Sequence, residues 1–239
     1  VPPVDPLALE LARMVEELLA HEQPEPVLQD VVNRARTLLS GAHHVSVMAH
    51  DGRGNGFASL AASDDLAGRC DTLMADLDEG PGVLDHDPEP VHRSGDLAAD
   101  GRWPRWSAAA HDLGIRSVLS IRLVGQGKHL GSLNLYSEDA FAFGDDDDIE
   151  LAVLFAGHAA AALGAVTEIS GLRAALESRH VIGVAQGILM ERYHLGVNGA
   201  FEVLKRFSSV HNLKLRDVAT ELVDTGAMPG ADEPPLSMT

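Results

Sequence analysis

The side chains best suited to act on a partner are concentrated near the carboxyl end. Residues 172–226 carry seven basic residues, Arg173, Arg179, Arg192, Lys205, Arg206, Lys214 and Arg216, beside six acidic ones, a balance of +1. Residues 1–171 hold 11 basic and 28 acidic residues, a balance of -17. The tail from Ala227 adds Asp232 and Glu233 and completes the formal charge of -18. This asymmetry places any contact with a polyanion in the C-terminal segment, while the acidic remainder repels stray contacts.

Catalytic and metal-binding chemistry finds little support. The run Asp145 to Asp148 could hold a cation, but it stands where a long helix is predicted to start, and carboxylates there cap amides and complement the macrodipole. His43, His44, His86, His92 and His111 lack metal-ligand spacing. Cys70 is the only cysteine, which excludes an internal disulfide framework and a multi-cysteine zinc site. "GQGKHLG" reads as a hairpin turn, because no Walker-type Gly-Lys-Ser/Thr precedes a helix. No nucleophile, base or metal constellation emerges, and the chain reads as a non-enzyme with no catalytic and no metal-ligating residues.

The elements that must position the basic residues follow from spacing. At 239 residues and 45% apolar content, the chain has material for one to two domains. Leu7, Leu11, Met14, Val15, Leu18 and Leu19 predict a helix over 7–20, which Pro24 and Pro26 break. A second helix carries Leu28, Val31, Val32, Ala35, Leu38 and Leu39, with Gly41 as a stop signal. Val45, Val47 and Ala49 alternate as a strand, Asp51 to Gly56 turn, and Phe57 to Ala62 return. Residues 64–112, rich in Asp, Gly and Pro, are expected as loops and short helices over one sheet face. Val118–Val124 and Gly131–Tyr136 are strands joined through Gly125-Gln126-Gly127-Lys128. An alanine-rich helix follows. On it Ala162, Ala165, Ile169, Leu172 and Leu176 are spaced 3, 4, 3, 4, the stripe of a coiled-coil seam in a homodimer or of a helix packed on its own sheet. Gly157, Gly164 and Gly171 recur every seven residues and either permit close helix approach or weaken the helix.

Three helices are predicted over 172–226, with stripes Ile182/Ala185/Leu189, Ala200/Val203/Leu204/Phe207 and Leu215/Val218/Ala219/Leu222/Val223. Gly196 lies between the first two, and Asn212 is expected to cap the third at its N-terminus. No apolar run reaches the roughly 18 to 20 residues needed to span a bilayer. The opening residues Pro2, Pro3 and Asp5 lack the layout of a signal peptide, so a cytoplasmic protein without membrane contact is expected.

Two resemblances sharpen this reading. "DEGPGVLDHDPEPVHRSGDLAADGRWPRW" and "GIRSVLSIRLVGQGKHLGSLNLYS" resemble the ligand-covering segment and closing strands of the GAF family. That implies an α+β fold, an antiparallel sheet with flanking helices packed on one face, acting as a sensor. The ligand, and whether there is a cofactor, is not specified. Trp103 and Trp106, flanking Pro104 and Arg105, either wall a ligand cavity or pack in a covering loop. Cys70 alone does not supply the several cysteines of the GAF-fold proteins that reduce methionine sulfoxide. The stretch "LRAALESRHVIGVAQGILMERYHLGVNGAFEVLKRFSSVHNLKLRDVATELVDTG" resembles the ANTAR domain, an all-α three-helix RNA-binding module of bacterial transcription antiterminators. GAF followed by ANTAR is typical of actinobacterial regulators. Gln186 stands where many such sequences carry Lys, and Gly196 replaces the usual Ser or Thr cap.

What the ANTAR resemblance implies is recognition of paired hairpin loops in nascent transcripts. Lys205, Arg206, Arg179, Arg192, Lys214 and Arg216 are then phosphate contacts, the last two helped by the helix N-terminus. Gly183 and Gly187, on the helix face away from Ile182 and Leu189, leave bare backbone for RNA, with the Gln186 amide beside them. Ser208 donates to a phosphate, and Tyr193, Phe201 and Phe207 can stack on bases. The structural alternatives are a solvated face for the charges, a tight helix contact for Ser208, close helix packing for the glycines and core placement for the two Phe. The expected organisation is an N-terminal helix (1–22), a GAF-like sensor domain (23–165), an ANTAR RNA-binding domain (166–226) and a disordered tail (227–239). A small-molecule ligand or a regulatory protein is the expected input to the sensor, and RNA hairpins and a second copy of the chain are the expected partners. The alternative function is a GAF-based small-molecule sensor and dimerisation module acting through protein partners rather than RNA.

Overall fold

The computed structural model describes residues 6–50, 56–83, 89–144 and 146–229. Asp145, His86, most of the 51–56 turn and most of the tail lie outside them. The chain divides into two compact units, Val1–Ser170 and Gly171–Thr239.

The first unit begins with α1 (Pro6–Leu19) and α2 (Pro24–Leu38). Pro24 opens α2 at its first turn, where a missing N–H costs nothing, so the prolines start the second helix as well as separate it from the first. Strands β1 (His44–His50), β2 (Phe57–Ala62), β3 (Val91–Ser94), β4 (Ser117–Gly125) and β5 (Lys128–Ser137) form one sheet in the order β2-β1-β5-β4-β3. Every neighbouring pair is antiparallel. Between β2 and β4 lie α3 (Asp65–Leu77), α4 (Pro104–Asp112) and the short β3. The 64–112 stretch is therefore more regular than its composition predicts. The side chain of Asp64 caps α3 by accepting from the amides of Leu66 and Ala67.

Strand alternation splits the sheet into two chemically different faces. Val45 and Val47, Leu119, Ile121 and Leu123, and Leu133 and Leu135 join an aliphatic core with α1, α2 and the Ala152–Val166 stretch of α5 (Asp146–Tyr193). The opposite face carries Met48, Val118 and Tyr136 into a second core with Cys70 and Met74 of α3 and Trp106 and Ala110 of α4. Helices cover both faces rather than the single face implied by the resemblance. Ser46, Ser120, Ser132 and Asn134 also lie on this second face, and all four are buried. Of the three heptad-spaced glycines, only Gly164 marks a close approach: a Cβ there would stand 3.3 Å from the Cα of Gly125. Gly157 and Gly171 face open space. One window of α5 is long and apolar enough by composition to cross a membrane, against the sequence expectation, but half of it is buried within the protein.

The second unit holds the end of α5, α6 (Val197–His211) and α7 (Leu215–Thr225). Asn212 does not cap α7. It takes a left-handed conformation (φ 52°) as the C-cap of α6, a role usually filled by Gly and sometimes by Asn, and Lys214 holds the N-cap position of α7.

Candidate nucleic-acid interface

The three helices of the second unit close on a small core of Ala185, Leu189, Ala200, Leu204, Val218, Ala219 and Leu222. Such a core is thin, and polar ties supplement it. Gln186 donates from Nε2 to the Val197 carbonyl at 3.2 Å, joining α5 to the first turn of α6. Arg192 donates from Nη1 to the Gly226 carbonyl at 2.6 Å, placing a cation on the C-terminus of α7. Ser208 donates from Oγ to the Leu213 carbonyl at 2.6 Å, while the Leu213 amide donates to the Ser208 carbonyl at 3.0 Å. This reciprocal pair fixes the α6–α7 turn.

Of the ten residues expected to meet RNA, Gln186, Arg192 and Ser208 are thus engaged inside the unit. Lys205, Arg206, Lys214, Arg216 and Arg179 are exposed. Lys205 has Glu202 at 3.9 Å and Arg216 has Asp217 at 3.4 Å, surface pairs too weak to neutralise either cation. Between Glu202 and Asp217 the chain has no acidic residue, so Lys205, Arg206, Lys214 and Arg216 form an unbroken basic segment in a chain with 36 acidic residues. Gly183 and Gly187 are exposed, and a Cβ on either would meet nothing within 4 Å, so close helix packing does not account for them in the single chain. Phe201 and Phe207 are half-buried, and Phe207 packs against the small core. Tyr193 is exposed.

Among the described residues of the first unit, the polar sheet face is closed over by a hydrogen-bonded network. Asp71 of α3 is fully buried there and receives four hydrogen bonds: Ser46 Oγ at 2.7 Å, Ser59 Oγ at 2.5 Å, Tyr136 OH at 2.6 Å and Asn134 Nδ2 at 3.3 Å. Desolvation raises its pKa above the ordinary carboxylate range, and the four donors oppose that rise. Ser120 Oγ donates to Asn134 Oδ1 at 2.7 Å and extends the network. A crevice nearby, lined by residues including Gly82, Ser120 and Ser132, encloses about 10 Å³, the size of a single water site. Trp103 and Trp106 are buried in the second core, with Trp106 Nε1 donating to the Cys70 carbonyl at 3.2 Å, so they act as packing. Burial pushes the Cys70 thiol up to about 12.

Comparison with known families decides the architecture. The GAF domain model matches residues 21–164. The chain belongs to the GAF family. The ANTAR domain model matches residues 170–223, so the GAF domain is followed by an ANTAR domain. Solved structures of the same fold include the GAF domain from an Acinetobacter phosphoenolpyruvate-protein phosphotransferase, at 16% identity and TM-score 0.53 over 72% of this chain and 98% of that one. A free methionine-R-sulfoxide reductase from Neisseria meningitidis matches at 16% identity and TM-score 0.50 over 72% of this chain and 95% of that one. The photosensory core module of a Stigmatella aurantiaca phytochrome matches at 11% identity and TM-score 0.56, covering 91% of this chain and 47% of that one. At these identities the likeness is one of fold. No curated protein matches the chain.

Within the GAF domain, sequence reasoning missed Asp71. An acidic residue in a stretch rich in acids carries no mark of burial, and its donors come from three different strands. In the ANTAR domain it missed the ties of Gln186, Arg192 and Ser208, whose acceptors are backbone carbonyls that no side-chain pattern announces.

Proposed function

We propose that this GAF-ANTAR chain is a cytoplasmic regulator that binds paired hairpin loops in nascent transcripts and favours antitermination, under control of its GAF domain. The observation that carries this reading is the acid-free segment Lys205–Arg216, displayed by α6 and α7 in the domain that matches ANTAR. Its four exposed cations supply phosphate contacts, and Arg179 adds a fifth on α5. Arg192, Gln186 and Ser208 serve the interface by holding the three helices in place. Gly183 and Gly187 leave α5 backbone open to close approach.

Two hairpins on one transcript suit two modules in a homodimer, because linkage raises effective concentration and offsets weak affinity per module. Ile169, Leu172 and Leu176 favour that assembly: at 47%, 61% and 65% exposure they are apolar side chains at coiled-coil spacing with little cover in the single chain. Ala162, the first residue of the stripe, is buried in the GAF core, so the seam starts later than its sequence pattern.

The test is recovery of RNA by the purified full chain at low salt, followed by sequencing and folding of what is retained, with native mass to count subunits. Enrichment of transcripts with paired loops, lost when Lys205 and Arg206 become Glu, is the expected result. Retention that ignores RNA structure, or that survives the charge reversal, overturns the proposal.

A further inference from the structure

The α6–α7 turn carries a feature that phosphate contact does not use. The rings of Phe207 and His211 are stacked, with centroids 4.0 Å apart and planes 20° from parallel. The pair is held in place on both sides. His211 Nδ1 lies 3.0 Å from the Phe207 carbonyl one helical turn earlier, which fixes the imidazole orientation. Phe207 packs against the domain core, and the Ser208–Leu213 hydrogen-bond pair fixes the turn beyond it. His211 itself is exposed, as are Val210 at 70% and Leu213 at 41%. These groups lie inside the segment whose only charges are Lys205, Arg206, Lys214 and Arg216.

A flat, preordered ring beside exposed apolar groups, within an acid-free cationic segment, matches the two needs of an unpaired nucleotide. The base needs a π-surface to stack on, and the backbone needs cations. An acidic peptide would use the cations and leave the ring idle. A second copy of this chain would bring its own basic segment against this one. We infer that His211, backed by Phe207, is a stacking platform for one unpaired base of an RNA loop. This inference rests on the RNA reading above and adds to it a residue that reads loop geometry rather than charge.

The experiment begins with tandem-hairpin RNAs carrying randomised loops, selected on the full chain at low salt. Affinity of the selected RNA is then measured by fluorescence anisotropy for the wild type, His211→Ala, His211→Phe and Lys205→Ala across a salt series. His211→Ala is expected to weaken binding about 5- to 150-fold with an unchanged salt slope, the range that loss of one stacked base spans. His211→Phe is expected to restore binding to within a few-fold, because it keeps the flat ring. Replacing loop nucleotides one at a time by abasic sites is expected to find one position where wild type and His211→Ala bind equally. That cycle keeps the wild-type protein in play should His211→Ala disturb α6.

Several results overturn the platform. If His211→Ala binds like the wild type while Lys205→Ala is weakened, the platform is wrong and the RNA reading stands. If no abasic position removes the difference, His211 acts on the fold rather than on a base. If no RNA in the pool is retained, both readings fall. If His211→Ala instead abolishes self-association seen without RNA, the surface belongs to a second copy of the chain.

Discussion

Replacing Lys205 and Arg206 together by Ala tests the interface most directly, because the structure separates their role from that of Arg192. Both are exposed on α6, and the 3.9 Å pair of Lys205 with Glu202 does not tie up its charge. Arg192 has its guanidinium on the Gly226 carbonyl at 2.6 Å and works for the fold. If Lys205, Arg206, Lys214, Arg216 and Arg179 each neutralise one phosphate of a single-stranded loop, log K falls with log salt at a slope of about -3.5 per module, from about -0.7 per contact. Removing two contacts leaves about -2.1. Between 50 and 200 mM salt the wild type then loses about 130-fold in affinity and the double variant about 18-fold. Arg192→Ala keeps the wild-type slope and instead lowers stability by about 1.5 kcal/mol, the low end for a hydrogen bond to a charged group because this one is exposed. Anisotropy titrations at four or more salt concentrations give the slopes, and circular dichroism melts give the stability. An equal slope for wild type and double variant, or a slope for Arg192→Ala as shallow as that of the double variant, refutes the assignment of these residues.

Leu172→Glu with Leu176→Glu should leave the melting temperature of the chain nearly unchanged, since both side chains are exposed, yet convert a dimer to monomer by native mass. Gly183→Ala and Gly187→Ala meet no atom within 4 Å, so each should stabilise α5 by about 0.5–1 kcal/mol, and a simultaneous loss of RNA affinity would assign the bare backbone to the ligand. The raised pKa of Asp71 means that the folded state binds its proton more tightly than the unfolded chain. Its contribution to stability is therefore full below the unfolded value and lost as pH rises through the folded one, so the melting temperature of the wild type relative to Asp71→Asn should fall across that window. Asp100 has the opposite sign: hydrogen bonds from Arg102 lower its pKa to about 2, so its contribution is present above the unfolded value near 3.8 and fades as pH falls toward 2. Melts of Asp100→Asn should lose their deficit there.

The two-part architecture and most of the elements were legible because their signals are local. The apolar stripes of α6 and α7, the glycine-containing turn between β4 and β5, and the helical spacing of α1 and α2 each lie within one short window. The parts that were not legible depend on distant partners. β3 is four residues long, Val91–Ser94, inside a stretch rich in Asp and Gly, and only pairing with β4 makes it a strand. The second covered face of the sheet was hidden because its polar residues Ser46, Ser120, Ser132 and Asn134 are satisfied by partners distant in sequence. Asn212 failed for a different reason. The same side chain suits a helix N-cap and a left-handed C-cap, and the backbone, not the residue type, decides between them.

The Asp71 network bears on how a sensor of this kind can be switched. A buried carboxylate held by two serines, an asparagine and a tyrosine, with no cation among these four donors, fastens α3 to β1, β2 and β5 at once. Beside it the described residues enclose a crevice of about 10 Å³, the size of one water site. A Cβ on Gly82 would already stand 3.0 Å from Asn134 Oδ1 and Ser132 Oγ, which shows how tightly that segment is laid on the polar floor. Allosteric coupling typically needs about 1–3 kcal/mol. One hydrogen bond to a charged group is worth about 1.5–3 kcal/mol. The loss of a single donor to Asp71 is thus of the same order as a typical coupling free energy.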